Sequence, residues 1–248
     1  MPETLSRRDR VRAETTVEIK QTARKILVEQ GHEAVTLRAI ARDMGMTAPA
    51  LYRYFGSHED LLLNVCGDIF GELADEIEAA IHAAGDAAGD AGGDITTKVA
   101  AACRAFRHWA LNHRPEFALL FGTPVPGMDV EKDDIAEECA RRFAGTFFAL
   151  FLELWQRRPF PVRPPEKIDP GLLEQLTRYQ EGLGTDLPVG ALLAFLRCWV
   201  RLYGIVSMEV FGHLHFALDD AEPIFELTLA EMARDLNLPY PPPPAAAS

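Results

Sequence analysis

Apolar positions recur at helical spacing along almost the whole chain, and the alternation expected of strands is nearly absent. Ile19, Ala23, Ile26 and Leu27 form one stripe, which predicts a helix over about Thr16 to Gln30, and Gly31 stands where a C-terminal cap belongs. Thr36 starts a second helix reaching Asp43, Met44-Gly45-Met46 makes a tight turn, and Thr47 starts a third helix that ends near Phe55-Gly56. Pro49 fits there because the first helical turn has no intrahelical use for its missing N–H. Ser57-His58-Glu59-Asp60 reads as a capping box for a long fourth helix. Leu62, Val65, Ile69, Leu73, Ile77 and Ile81 keep helical spacing to about Ala84, within the stretch AAGDAAGDAGGD that breaks the pattern.

The remainder predicts helices near 95–112, 115–121, 133–156, 172–180, 188–211 and 222–236, with a Pro-rich stretch over 159–170. The fold class is all-α. The first fourteen residues are charged and aperiodic and read as a flexible basic arm, and the closing PYPPPPAAAS (239–248) reads as a disordered Pro-rich tail.

Composition changes this picture in two ways. The 248 residues are 48% hydrophobic, so a packed core is expected. The net charge of −12 excludes a protein basic all over, but it hides an asymmetry. Residues 1–58 hold ten Lys/Arg against seven Asp/Glu, a balance of +3, and the rest carries −15. One end is suited to an anionic partner and the other is not.

Cys66, Cys103, Cys139 and Cys198 lie far apart with no C-x-x-C, which suits reduced core thiols rather than a disulfide framework or zinc. No signal peptide is apparent, and no segment reads as long and apolar enough to span a membrane, so a cytoplasmic location is expected.

Two short helices across a glycine turn, with another helix behind them, make a helix-turn-helix. Ile40, Ala41, Met44, Met46, Leu51 and Phe55 supply its small core. The third helix then turns Ala48, Ala50, Tyr52, Arg53 and Tyr54 outward, where they can approach a major groove. Arg7, Arg8, Arg10 and Arg12 ahead of the first helix suit either a DNA-tracking arm or a free tail.

The stretch AVTLRAIARDMGMTAPALYRYFGSHEDLL resembles the DNA-binding signature of the tetracycline-repressor (TetR) family of transcription regulators. Thr36, Ile40-Ala41, Gly45, Thr47, Leu51-Tyr52, Tyr54-Phe55 and Leu61 carry the resemblance, which covers about residues 15–63. It implies a DNA-binding domain over 15–61 and a helical ligand-binding and dimerisation domain over 62–238, joined by the long helix. The DNA-contact set is then Thr36, Arg38, Thr47, Ala48, Ala50, Tyr52, Arg53, Tyr54 and His58. Thr36 and Thr47 also serve as caps, and Arg38 also suits a solvated surface. His58 stands where the family usually has a phosphate-binding Lys. The segment LLAFLRCWVRLYGIVSMEVFGHL resembles the penultimate helix of a subgroup that carries Trp followed by His-Gly; here Tyr203-Gly204 follow Trp199.

In the body, most aromatics suit core packing, but bundles also hold ligands between helices behind apolar walls. The candidate pocket residues are Cys103, Phe106, Trp109, Phe117, Phe121, Phe147, Trp199 and Tyr203. Leu192, Leu196, Val206 and Val210 in the penultimate helix and Phe225, Leu229 and Met232 in the last form stripes assigned to a dimer interface. The resemblance implies a homodimer on a pseudo-palindromic double-stranded DNA operator, most often a repressor released by a small-molecule effector. No nucleophile elbow, phosphate loop, metal motif or paired carboxylates appear, so no catalysis, cofactor, metal site or membrane partner is expected. His213 and His215 read as structural or surface residues. The rival readings are an interaction module with a non-functional helix-turn-helix and a helical enzyme.

Overall fold

The computed structural model describes residues 6–86, 94–122 and 134–240. Among these residues every regular element is helical: α1 (Arg7–Gln30), α2 (Leu37–Asp43), α3 (Ala48–Leu51), α4 (His58–Asp86), α5 (Ile95–Asn112), α6 (Arg114–Phe121), α7 (Asp134–Arg157), α8 (Pro170–Leu183), α9 (Val189–Val210) and α10 (Glu222–Asp235). Short 3₁₀ turns stand at His32–Ala34 and Pro165–Lys167. Residues 1–5 of the expected arm, 87–93 of the Gly/Asp stretch, 131–133 ahead of α7 and 241–248 of the expected tail lie outside the described residues.

Helix α1 starts at Arg7, so the expectation of a flexible arm to residue 14 is corrected over 7–14. The Ser6 hydroxyl accepts from the Asp9 N–H at 3.2 Å and caps the helix. The Thr15 and Thr16 hydroxyls then bond back to the Val11 and Arg12 carbonyls at 2.9 Å. Only Val11 and Ala13 are apolar between Arg7 and Thr15, so this opening gives no apolar stripe to read.

Helix α3 is shorter than expected. It holds α geometry over Ala48–Leu51, then tightens, with Arg53 N–H on the Ala50 carbonyl at 3.3 Å and Tyr54 N–H on that of Leu51 at 2.9 Å. Gly45 adopts φ +64° in the turn before it, and a Cβ there would meet no atom within 4 Å. The glycine is required by its left-handed backbone and not by crowding.

The chain forms two compact units. The first holds the described residues within Met1–Ala74 and Asn112–Phe143, so it extends beyond the boundary expected at residue 61. Its core includes Ile19, Ala23, Ile26 and Leu27 of α1, Leu37, Ile40 and Ala41 of α2, Leu51, Phe55, and Leu61, Leu62, Val65 and Ile69 of α4. Met44 and Met46 are half-buried at its edge. Arg24 of α1 reaches Glu72 of α4 at 2.5 Å and the buried Glu116 of α6 at 3.2 Å. Partial burial opposes its charge, but the two carboxylates hold its pKa above the ordinary arginine value.

The second unit holds the described residues within Asp75–Leu111 and Ala144–Ser248. Helix α9 packs against α8 and α10. Arg107 of α5 makes a bidentate pair with Glu209 of α9, both bonds 2.7 Å, and lies over the Phe225 ring at 5.1 Å. The hydrogen bonds it donates to Glu209 raise its pKa, against the opposing effect of burial.

Two expectations for this unit are corrected. Leu192, Val206, Val210, Phe225, Leu229 and Met232 are buried within the single chain and Leu196 is half-buried, so the stripes assigned to a dimer interface form the unit's own core. Helix α9 is also long and apolar enough to cross a membrane by length and composition, with a mean hydropathy of 1.6. Packing against α8 and α10 buries part of that apolar surface and leaves Val200 and Met208 exposed.

Candidate nucleic-acid interface and ligand cavity

The helix-turn-helix presents one exposed edge. Thr36 caps α2 by accepting from Ala39 N–H at 3.1 Å, and Arg38 in the first turn is exposed. Thr47 occupies the cap position of α3 but makes no capping side-chain bond, so its exposed hydroxyl is available to a ligand. Beyond it Tyr52 is 57% exposed, Arg53 is exposed, and Ala48, Ala50 and Tyr54 are half-buried.

Helix α1 extends this edge. Arg12 Nη2 donates to the Arg53 carbonyl at 2.9 Å, and its guanidinium lies 5.7 Å from the Tyr54 ring centroid. Arg7, Arg8, Val11, Arg12, Arg53 and Tyr54 line one open cleft. Arg7, Arg8 and Arg12 therefore stand on the first turns of α1, in one cleft with Arg53 and Tyr54.

His58 departs from its expected role. It opens α4, where the Asp60 N–H donates to Ser57 Oγ at 3.1 Å and the Asp60 carboxylate accepts from Gly56 N–H at 2.7 Å. His58 Nε2 bonds to the Val35 carbonyl. A carbonyl only accepts, so Nε2 carries the proton. The nitrogen expected at a phosphate instead fastens α4 to the segment entering α2.

The second unit contains a cavity of about 80 Å³. Its walls come from α5 (Thr96, Val99, Ala100, Cys103), α7 (Phe147, Leu150, Phe151, Leu154), α9 (Phe195, Cys198, Trp199, Leu202) and α10 (Leu229, Met232, Ala233), with Leu236, Leu238 and Tyr240 completing it. Burial pushes the Cys103 thiol up to about 12 and the Cys198 thiol up to about 11, so both remain neutral at ordinary pH. A lining of this kind favours uncharged, apolar ligands.

Of the expected pocket residues, Cys103, Phe147 and Trp199 line the cavity. Phe106 lies behind them, its ring 5.8 Å from Trp199 and 6.2 Å from Phe147, and Tyr203 stacks on Trp199 at 5.9 Å. Trp109 is buried outside the lining. Phe117 and Phe121 are corrected outright: they belong to the first unit and cluster there with Phe70 and Phe143. Leu229 and Met232, assigned to dimerisation, line the cavity instead. The sequence pattern did not single out Cys198, although it did mark its neighbour Trp199.

A short helix pair with an exposed far edge, flanked by helical arginines, defines a helix-turn-helix DNA-binding regulator. Residues 19–65 match the family of bacterial regulatory proteins, tetR family, and residues 99–232 match the tetracyclin repressor-like C-terminal domain. HTH-type transcriptional regulators of Mycobacterium tuberculosis and Mycobacterium bovis are each 32% identical over 209 residues, covering 83% of this chain and 84% of theirs. The chain belongs to the TetR family of transcriptional regulators. The crystal structure of the regulatory protein SCO4313 superposes with a TM-score of 0.70 at 29% identity, over 92% of this chain and 98% of its own. RolR, solved in complex with resorcinol, shares the fold with a TM-score of 0.52 at 17% identity, over 93% of this chain and 91% of its own.

Proposed function

We propose that this regulator is a homodimeric repressor that leaves a pseudo-palindromic operator when a small apolar or amphipathic molecule enters the second unit. The observation that carries the reading is the apolar cavity of about 80 Å³ in a chain whose other unit holds the DNA-reading edge. That the fold admits a small aromatic molecule is supported by RolR, which was crystallised with resorcinol. On DNA, Thr47, Tyr52 and Arg53 meet the major groove and Arg7, Arg8 and Arg12 meet phosphates. The protein acts by binding, without turnover, in the cytoplasm.

Dimerisation falls to apolar side chains that the single chain leaves uncovered. Val200, at 66% exposure, and Met208, at 41%, share one side of α9 at i and i+8, and Leu227, at 55%, stands with Ile224 on α10. A second copy covers these residues in an isologous contact.

Helix α4 runs through both units and is the element through which occupancy reaches the DNA-reading edge. A ligand shifts DNA affinity only by its differential affinity for the two states. The test is selection of genomic fragments by the purified protein, followed by titration of uncharged aromatic compounds against the bound fragment. Release at concentrations that saturate the cavity supports the reading. Retention of the DNA by a saturated protein overturns it.

A further inference from the structure

The cavity in the second unit has one wall unlike the others. Most of its lining comes from helices, but one side is made by the segment that follows α10, through Leu236, Leu238 and Tyr240. Asn237 turns the chain there with φ +55°, in the left-handed region that non-glycine residues seldom enter. Leu238 N–H returns to the Ala233 carbonyl at 2.8 Å, and Pro239 offers no N–H at all. The other side of the segment faces open space: Leu238, Pro239 and Tyr240 line a second cleft together with Arg158, Arg234 and Asn237. A single five-residue segment, turned at Asn237, therefore lies between the apolar cavity and a polar external cleft.

One side chain fastens it. The Tyr240 hydroxyl donates to Glu226 Oε2 and accepts from Arg104 Nη2 at 3.3 Å. Arg104 and Glu226 already hold each other by two bonds, at 2.9 and 2.8 Å, so the acceptor is fixed in place. The Arg104 guanidinium also lies 5.9 Å from the Tyr240 ring centroid.

We propose that Leu236–Tyr240 is a strap closing the cavity, latched by Tyr240 onto the Arg104–Glu226 pair, and that an uncharged apolar molecule enters when the latch opens. The proposal rests on the ligand-responsive reading above. The Arg104–Glu226 pair is mutually neutralised and leaves no free charge at the latch for an ionic ligand. An apolar molecule gains by replacing water against Phe147, Phe151 and Trp199.

The cavity carries its own reporter, because Cys103 lines it and is buried, whereas Cys198 lines it but is only half-buried. The experiment follows alkylation of each cysteine by N-ethylmaleimide at fixed pH, read by peptide mass spectrometry. Buried Cys66 of the first unit serves as internal reference. Tyr240→Phe removes the hydroxyl and keeps the ring. Without that hydrogen bond to a charged group, labelling of buried Cys103 speeds up by about tenfold relative to Cys66. Tyr240→Ala speeds it further, and naphthalene slows it in every form.

Equal labelling rates in wild type, Tyr240→Phe and Tyr240→Ala overturn the strap. Labelling unaffected by saturating naphthalene overturns the ligand class. DNA affinity is not part of this readout, so a strap that opens as stated in a protein that keeps its operator when loaded overturns the repressor reading alone.

Discussion

Arg12 and Arg53, forty-one positions apart, are joined by one hydrogen bond from the Arg12 guanidinium to the Arg53 carbonyl at 2.9 Å. The bond makes the opening of α1 and the end of the DNA-reading edge a single surface. Arg12 keeps its full charge there because a carbonyl neutralises nothing. Arg12→Ala is therefore expected to weaken operator binding. It is also expected to lower the slope of log affinity against log salt by about 0.9, the share of one phosphate that no side chain then neutralises. Binding isotherms at several salt concentrations measure it, and an unchanged slope means that Arg12 only braces Arg53.

Tyr52 and Arg53 stand most openly on the edge. Replacing either with Ala is expected to cost about 1–3 kcal/mol of operator affinity with unchanged helical content. Fluorescence anisotropy and circular dichroism on the same samples test this. Wild-type affinity in both variants places the reading edge elsewhere.

His58 is expected to act on stability before DNA binding. His58→Ala removes the donor to the Val35 carbonyl and destabilises the protein by about 1 kcal/mol. His58→Gln, which keeps a donor, recovers part of that stability. Denaturant midpoints decide, and a fully stable His58→Ala protein means that the bond contributes nothing in solution.

A charge placed on the uncovered apolar side of α9 and α10 is expected to divide the dimer. Val200→Asp and Leu227→Asp each put a carboxylate on the surface proposed for the second copy, while both side chains remain solvated in the single chain. Sedimentation velocity is expected to show monomers with native helical content. Dimers of unchanged affinity locate the interface on another surface.

The cavity thiols give a pH signature. Burial raises Cys103 from 9.0 to about 12 and Cys198 from 9.0 to about 11, so the folded protein holds these protons more tightly than the unfolded chain. Their contribution to stability is complete below pH 9 and is lost as pH rises through the folded values. In the lower part of that window each thiol contributes a slope of about 1.4 kcal/mol per pH unit. Urea unfolding at pH 8, 9 and 10 is expected to show a shallower decline for Cys103→Ala than for wild type. Parallel declines indicate that Cys103 is solvated in the folded state.

The hydrophobic pattern by itself determined the helices and the helix-turn-helix. Ile19, Ile26, Ile40, Leu51 and Phe55 recur at spacings that bury one side of each helix, and Gly45 marks a turn that demands positive φ. Local rules of this kind are written in neighbouring residues, so the sequence also located the exposed Tyr52 and Arg53. It failed where the local signal vanishes, as at Arg7–Thr15, where a polar helix has no stripe and capping by Ser6 sets its start.

What the tertiary structure alone decided is which apolar face meets which neighbour. A stripe such as Leu192–Val206–Val210 or Phe225–Leu229–Met232 shows that a face must be covered, but not whether the cover belongs to the same chain or a second one. The packing gives these residues to the unit's own core and cavity and leaves Val200 and Leu227 outside. Phe117 and Phe121 likewise join Phe70 and Phe143 because chain topology brings α4, α6 and α7 together in the first unit. The same holds for His58 and Val35, and for Tyr240 with Arg104 and Glu226. Each is a meeting of residues distant in sequence, and no spacing rule encodes a meeting that the rest of the chain arranges.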